Sequence, residues 1–333
     1  MRLIEIDEYE RETMQLAKPI HDQYHRVLLN QGATIHDKYL TTLKELGIRY
    51  LFVEDAISHD ITMDEMFDMP TWMDAVKIVH QTFNQVKKEE KLNLIALQEL
   101  AGQLIIEVQR RKILALIPST TMAKDLLLYT HSVNVAILSL EIGRQMGYNN
   151  IQLRDLILGA LLHDIGKVLI EEVKEHPKAG FQFLRHIHEL NLMCAHVSYQ
   201  HHERWNGKGY PREIRGMQII PYAQIVSIAN FYEKAISRGN KPHLVMETIM
   251  ALSDTVFAPE IISAFIRSVP PYPPGTTVHL MSGEEVVVTG IRNLMQRPIV
   301  RKGNMQEISL EDEPTILIDG GKECDKETLL RLL

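Results

Sequence analysis

The sequence of 333 residues contains little cysteine, no excess of basic residues and no apolar run long enough to cross a bilayer. Its two cysteines, Cys194 and Cys324, form no CxxC pair, so a reducing cytoplasm is the expected compartment. The net charge of −7 argues against a general binder of nucleic-acid backbones, whose surface should be basic. Any anionic ligand must therefore be held locally, and DNA is not an expected partner.

The longest uncharged apolar run covers residues 126–140 and lies between Asp125 and Glu141. It contains His131 and Asn134 and falls short of the roughly 20 residues that span a bilayer, so it predicts a buried helix. The first residues alternate in charge and lack the apolar segment of a signal peptide. No association with a membrane is expected.

The hydrophobic pattern predicts a mainly α protein with a small module at each end. Residues 1–57 indicate an α+β module, with apolar runs at 27–29 and 50–53 around a helix at 37–46. Residues 58–121 predict a linker, or a short helix that ends near Pro70, followed by long helices. Helices are expected at 73–88, 92–117, 124–146, 152–165, 176–189, 192–202, 219–237, 244–253 and 259–268. In residues 269–333 the period changes to two, which predicts strands at 277–280, 285–289, 298–300 and 315–318.

Histidines and carboxylates are concentrated between residues 155 and 211. His163 and Asp164 form a pair in HDIGK, His176 lies in EHPKAG, and His201 and His202 open HHERWNGKGYP. Neutral imidazoles and carboxylates ligate divalent first-row metals. Because no cysteine occurs among them, the donor set suits Mn or Fe better than a structural zinc.

A metal phosphodiesterase needs a carboxylate that bridges two ions, imidazoles that fix each ion, and a cation that meets the phosphate. Asp164 is the natural bridge, and Lys167 follows it by one helical turn. We assign Lys167 to the phosphate, and the alternative is a helix C-terminal lysine favoured by the helix dipole. His131 lies on an apolar helix face, where a histidine by itself is more often a hydrogen-bonded core residue than a ligand.

The order of these motifs resembles the HD-GYP family, the helical HD-type phosphohydrolases that open cyclic di-GMP, over about residues 122–268. The resemblance implies an HD-type helical bundle with two divalent metal ions. It implies Asp164 and Lys167 as catalytic residues, with Lys167 and Tyr210, of the Gly209-Tyr210-Pro211 loop, contacting substrate. The implied metal ligands are His131, His163, Asp164, His176, His201, His202 and Asn230.

The sequence also departs from the family pattern at several positions. Asn230 stands where the family has a ligating Asp, so one metal position loses a negative charge. Leu127 stands where some members carry a Glu for a third metal, so two metals at most are expected. The loop at 168–175 is short, and residues 237–243 replace an RPYR-like run.

The sequence therefore predicts a cytoplasmic bacterial enzyme that hydrolyses cyclic di-GMP to linear pGpG, to GMP, or to both. One alternative is a catalytically degenerate domain that binds nucleotide or metal and signals to a partner. Another is an HD hydrolase of a different phosphoester. The N-terminal module resembles a segment often placed before HD-GYP domains, and it is expected to pack, to form a homodimer or to contact a protein partner.

Overall fold

The computed structural model describes residues 1–22, 24–89, 91–321 and 329–333, and helices dominate this part of the chain. The helices are α1 (Asp37–Glu45), α2 (Met69–Glu89), α3 (Leu94–Gln109), α4 (Leu127–Gln145), α5 (Asn150–Leu162), α6 (His176–Leu184), α7 (Leu192–Gln200), α8 (Pro221–Ser237), α9 (Pro242–Ala251) and α10 (Pro259–Ile266). The strands are β1 (Arg2–Glu5), β2 (Gln15–Leu16), β3 (Ile20–His21), β4 (Val27–Leu29), β5 (Tyr50–Glu54), β6 (Thr277–His279), β7 (Glu285–Gly290), β8 (Ile299–Lys302) and β9 (Glu307–Ser309). The expected mainly α class, with small sheets near both ends, is confirmed.

Helix α4 lies at the centre of the bundle and packs against α2, α3, α5, α8 and α10. Its side chains from Tyr129 to Gly143 are all buried. The helical segment Lys124–Gln145 is long and apolar enough to cross a membrane, but 83% of its most apolar window is buried inside the protein. The prediction of a buried helix is confirmed.

Local signals explain where the helices next to α4 begin and end. Gly147 follows α4 with φ of +78°, a left-handed conformation that glycine adopts without strain. Asn149 then caps α5, because its side chain accepts from the backbone N–H of Gln152 while the Gln152 side chain accepts from that of Asn149. The chain thus reverses in a short turn and sets α5 against α4.

The N-terminal module has a core of its own, which includes Ile4, Leu16, Leu43 and Val53. Its predicted helix and its strands at 27–29 and 50–54 are present. The sequence pattern did not identify β1, which pairs with residues 50–53 of β5 in an antiparallel sheet of order β1-β5-β2.

The C-terminal module is an antiparallel sheet of order β6-β7-β8-β9 over a core that includes Val286, Val288 and Val300. The strand predicted at 315–318 is wrong, since only an isolated bridge joins Leu280 to Ile318 there. The fourth strand is β9 instead, because residues 302–306 form a tight turn that returns the chain alongside β8.

Three helix boundaries also differ from the prediction. Pro70 lies in the first turn of α2, where its missing N–H costs nothing, rather than at the end of a preceding helix. Helix α3 ends at Gln109, and Ala115 instead pairs with the backbone beside Met66. Helix α6 ends at Leu184, five residues before the predicted end.

Candidate metal centre

The predicted ligands come together because most of them lie at helix ends that point to one place. His163 caps the C-terminus of α5 and Asp164 follows it, while His176 is the first residue of α6. His201 and His202 directly follow α7, and His131 projects from the second turn of α4. Gly166 permits this convergence, since a Cβ built on it would lie 2.0 Å from the His176 carbonyl oxygen.

Asp164 is fully buried, and its two carboxylate oxygens face different groups of imidazoles. Its Oδ1 lies 3.1 Å from His176 Nε2 and 3.6 Å from His201 Nε2. Its Oδ2 lies 3.3 Å from His163 Nε2 and 3.8 Å from His131 Nε2.

The potential ligand atoms accordingly form two groups that share Asp164. One contains Asp164, His176, His201 and His202, and the other contains His131, His163 and Asp164. Within each group the ligand atoms lie within 4.8 Å of one another. A carboxylate common to both groups is in the position of a bridge between two metal ions.

Backbone carbonyls orient three of the imidazoles. The Nδ1 atoms of His163 and His201 donate to the carbonyls of Ala160 and Ser198 at 2.7 and 2.9 Å, and His176 Nδ1 donates to the carbonyl of Val173. A carbonyl oxygen can only accept, so the hydrogen must lie on Nδ1 and the Nε2 lone pair is free to ligate. Metal-binding histidines typically donate a hydrogen bond of this kind from the ring nitrogen that does not bind the metal.

The inner face of the cluster is arranged for cations. The unprotonated Nε2 atoms of His176 and His201 face each other at 3.3 Å, which leaves two lone pairs opposed unless a cation lies close to both. Several buried acceptors also lack a hydrogen-bond partner among the described residues: His131 Nε2, His163 Nε2, Asp164 Oδ1 and Asn230 Oδ1. The residues present therefore fit divalent metal ions.

Burial and neighbouring charges set the protonation that such a site requires. Burial lowers the pKa of His201 to about 3, and it also lowers that of His202 well below its usual range. Burial alone would raise the pKa of Asp164, but His163 and Lys167 hold it well below its usual range. His201 and His202 are therefore neutral and Asp164 is ionised at neutral pH.

Asn230 lies beside the group of ligands that contains His201 and His202. It lines a small cavity of about 10 Å³ together with these two histidines, and Leu332 and Leu333 also line that cavity. This volume suits about one water molecule or one ion. The unpartnered Asn230 Oδ1 is therefore available as the predicted weak ligand.

Lys167 and Tyr210 both reach the site. The Lys167 Nζ contacts Asp164 Oδ2 at 2.5 Å, and its side chain is 29% exposed, so it lies at the border between the ligands and solvent. The Tyr210 ring stacks on His202 with 4.6 Å between centroids. Gly209 lets this loop approach, because a Cβ there would lie 2.5 Å from the His202 carbonyl oxygen.

Glu233 is an important residue of the site to which the sequence analysis gave no role. Its carboxylate accepts from His131 Nδ1, from the hydroxyl of Ser119, and from that of Ser237 at 2.7 Å. Burial alone would raise the pKa of Glu233, but the contacts with His131 and Ser119 lower it to about 2. The available signal was its position one helical turn after Asn230 on α8.

Lys234 is a second residue that the sequence analysis did not single out. It follows Glu233 and is partly buried, and burial lowers its pKa to about 8 although the charge of Asp164 acts in the opposite direction. The charges of Lys234 and Lys167 also act on each other. The site therefore combines a neutral Asn230 with an additional cation.

The cysteines contribute nothing to this cluster in the part of the chain that the structure describes. Cys194 is buried in α7, and its thiol donates to the carbonyl of Asp155 at 3.2 Å. Cys324 lies outside the described residues. The donor set of the cluster consists of nitrogen and oxygen, as the sequence predicts.

Comparison with known proteins agrees with this geometry. The family model described as the HD domain matches residues 128–234. A cyclic di-GMP phosphodiesterase of Thermotoga maritima is 27% identical over 215 residues, which are 57% of this chain and 58% of the relative. A cyclic di-GMP phosphodiesterase of Pseudomonas aeruginosa is 30% identical over 182 residues, which are 48% of this chain and 44% of the relative. This chain thus spans about half the length of the curated relatives it matches.

A solved structure supports the fold. Bd1817, an HDG"Y"P protein from Bdellovibrio bacteriovorus, superposes with a TM-score of 0.52 and 18% sequence identity. The match covers 79% of this chain and 97% of that protein. At this identity the likeness concerns the fold alone.

Proposed function

We propose that this chain, which matches the HD domain over residues 128–234, is a metal-dependent phosphodiesterase that hydrolyses cyclic di-GMP. The observation that carries the proposal is Asp164, whose two oxygens divide the imidazoles into two groups. Two divalent ions held there would supply a nucleophile at neutral pH and positive charge for the phosphoryl oxygens. The nitrogen and oxygen donors favour Mn or Fe as these ions.

The residues of the chain have distinct roles in this proposal. His163 and His201 hold their ligand atoms in place through their backbone hydrogen bonds, so little reorganisation accompanies binding. Lys167 supplies positive charge to the scissile phosphate from the solvent side of Asp164. Tyr210 offers an aromatic face and a hydroxyl at the entrance, next to His202.

The proposal extends to the product and to the surroundings of the enzyme. We expect linear pGpG, GMP or both as products, in a bacterial cytoplasm. The N-terminal module is proposed to form a homodimer or to contact a protein partner. No membrane or DNA is required for the reaction.

The experiment is metal analysis of protein purified without added ions, followed by turnover of cyclic di-GMP with Mn and, without oxygen, with Fe(II). Chromatography of the products separates pGpG from GMP. A second phosphodiester, 3′3′-cGAMP, tests whether another substrate is preferred. The proposal is wrong if the metal-loaded wild type hydrolyses neither nucleotide while the ligands remain occupied.

A degenerate binding module is the second candidate, and the charges around Asn230 favour it. Asn230 brings no charge where the family has a carboxylate, and Lys234 adds a cation to the same helix. Both changes oppose the binding of a second dication. Under this alternative the protein binds cyclic di-GMP with measurable affinity but does not hydrolyse it with either metal.

A further inference from the structure

A cavity of about 240 Å³ lies at the junction of the three parts of the molecule, apart from the metal ligands. The N-terminal module contributes Leu3 and Tyr50, and helix α8 contributes Tyr232. The segment between α10 and β6 contributes Tyr272 and three prolines. Binding sites are often found at such junctions between domains.

Three tyrosines line this cavity. In the described part of the chain, the hydroxyls of Tyr50, Tyr232 and Tyr272 make no hydrogen bond, although the Tyr232 side chain is only 3% exposed. None of these hydroxyls is a fully buried atom, so each is accessible and can donate to a ligand in the cavity. Burial also raises the pKa of Tyr50 to about 12, so this phenol keeps its proton at neutral pH and can donate it.

The rest of the lining selects the shape and charge of a ligand. Phe52, Met63, Pro271 and Pro273 present flat or apolar faces. A cavity of about 150 Å³ can bind benzene, so 240 Å³ accommodates a fused two-ring molecule. Glu5 and Glu8 at the rim outnumber the single cation Lys241, which disfavours an anionic ligand.

In two segments of the chain, a residue that lines the cavity directly precedes a residue of the metal centre. Tyr232 precedes Glu233, and Pro118, which also lines the cavity, precedes Ser119. The Ser119 hydroxyl donates to Glu233, and Glu233 accepts from His131. A molecule that displaces Tyr232 or Pro118 therefore acts on the residues that orient His131.

We propose that this junction cavity is a regulatory site for a neutral, planar, two-ring heteroaromatic molecule whose ring nitrogens accept from the tyrosine hydroxyls. Occupation of the site changes the affinity of the His131 group of ligands for its metal. This inference concerns a second site, and its binding test does not depend on hydrolysis of any nucleotide.

The test uses purine as the probe and indole as a probe of similar size that lacks acceptor nitrogens. Calorimetry on the metal-free full chain is expected to show binding of purine and weaker binding of indole. Tyr232→Phe keeps the ring that packs on Phe265 but removes one donor, so it should weaken purine binding about tenfold. Tyr39→Phe, on the exposed face of α1, is the matched control and should change nothing.

A filling variant and a linkage measurement complete the test. Leu3→Trp should fill the cavity and abolish binding of purine. If that variant fails to fold, Tyr50→Phe, which removes one hydroxyl donor, is used instead. Purine should shift the apparent affinity for Mn, measured against a chelating dye, and Mn should shift purine affinity by the same factor. Absence of purine binding, equal binding by Tyr232→Phe, or a Mn affinity that purine leaves unchanged would overturn the proposal.

Discussion

The contacts of Asp164 make it the least replaceable side chain of the site. Each of its oxygens serves a different group of imidazoles, so Asp164→Ala should remove nearly all bound metal from both. The fold should persist, because the surrounding helices pack through apolar side chains. Elemental analysis and thermal unfolding check this, with the exposed Asp125→Ala as control. Full metal content in Asp164→Ala would contradict the assignment of Asp164 as a shared metal ligand.

Lys167 is predicted to act on the substrate phosphate. Its Nζ contacts Asp164 from the more exposed side, so Lys167→Ala should leave the imidazole ligands and the bound metal in place. Turnover of cyclic di-GMP, or affinity for it, should fall, since the phosphate loses a cation. Lys174→Ala, at an exposed position of the following loop, should not have this effect. Unchanged kinetics in Lys167→Ala would return the residue to the role of a helix-capping lysine.

Asn230 is predicted to limit the negative charge at the metal position next to His201 and His202. Its buried Oδ1 has no hydrogen-bond partner among the described residues, and an aspartate there would add a negative charge close to Lys234 and to the metal. Asn230→Asp should raise metal affinity by up to about tenfold, or about 1.4 kcal/mol. Competition with a chelating dye measures this shift.

Turnover by the same variant separates the enzyme from the binding module. Asn230→Asp should raise turnover of cyclic di-GMP if the wild type has any. If both proteins are fully loaded, inactive and able to bind nucleotide, the short 168–175 loop or the altered 237–243 segment becomes the cause. The binding module then replaces the enzyme.

Helix α8 links the metal centre to the rest of the bundle through Glu233. Because Glu233 accepts from His131 Nδ1, Glu233→Gln should lower metal affinity about 10- to 100-fold while leaving His176 and His201 in place. Titration with Mn should resolve one weakened and one unchanged position. Glu260→Gln, exposed on α10, is the control. Equal loss at both positions would contradict the assignment of Glu233 to the His131 group.

Across the whole molecule, hydrogen bonds donated by Arg2 and Arg301 join the C-terminal module to the N-terminal part of the chain, and an ion pair with Asp55 holds Arg2 in place. Arg2 donates to Asp55 at 2.8 Å and to the Thr277 hydroxyl at 3.3 Å, while Arg301 donates to the backbone carbonyl of His59 at 2.6 Å. Asp55→Asn should therefore lower the free energy of unfolding at neutral pH by about 1–3 kcal/mol.

The same contact predicts a pH dependence. Burial alone would raise the pKa of Asp55, but Ser58 and Arg2 lower it below its usual range. Because the pKa of Asp55 is lower in the folded state, its ionised form stabilises the fold at pH values above the unfolded pKa of about 3.9. This stabilisation is lost as the pH falls further. Urea unfolding should show that the free energy of unfolding falls more steeply with decreasing pH in the wild type than in Asp55→Asn. Asp60→Asn, at an exposed position, should follow the wild type.

The sequence by itself predicted the helices that carry the ligands and most of the site. His163, His176, His201 and His202 lie at helix ends, where Gly, Asn and Pro give strong local signals, and their order along the chain resembles a known family. Chemistry alone then indicated a nitrogen and oxygen metal site. These predictions rest on signals that are local in the sequence.

Only the tertiary structure revealed what depends on residues that are far apart in sequence. The pairing of β1 with β5, the contact of Glu233 with His131 and the position of Lys234 near Asp164 have no local signal. The junction cavity likewise joins Leu3, Tyr232 and Tyr272. Periodicity records which face of each element is buried, but the partner of that face is decided when the elements pack.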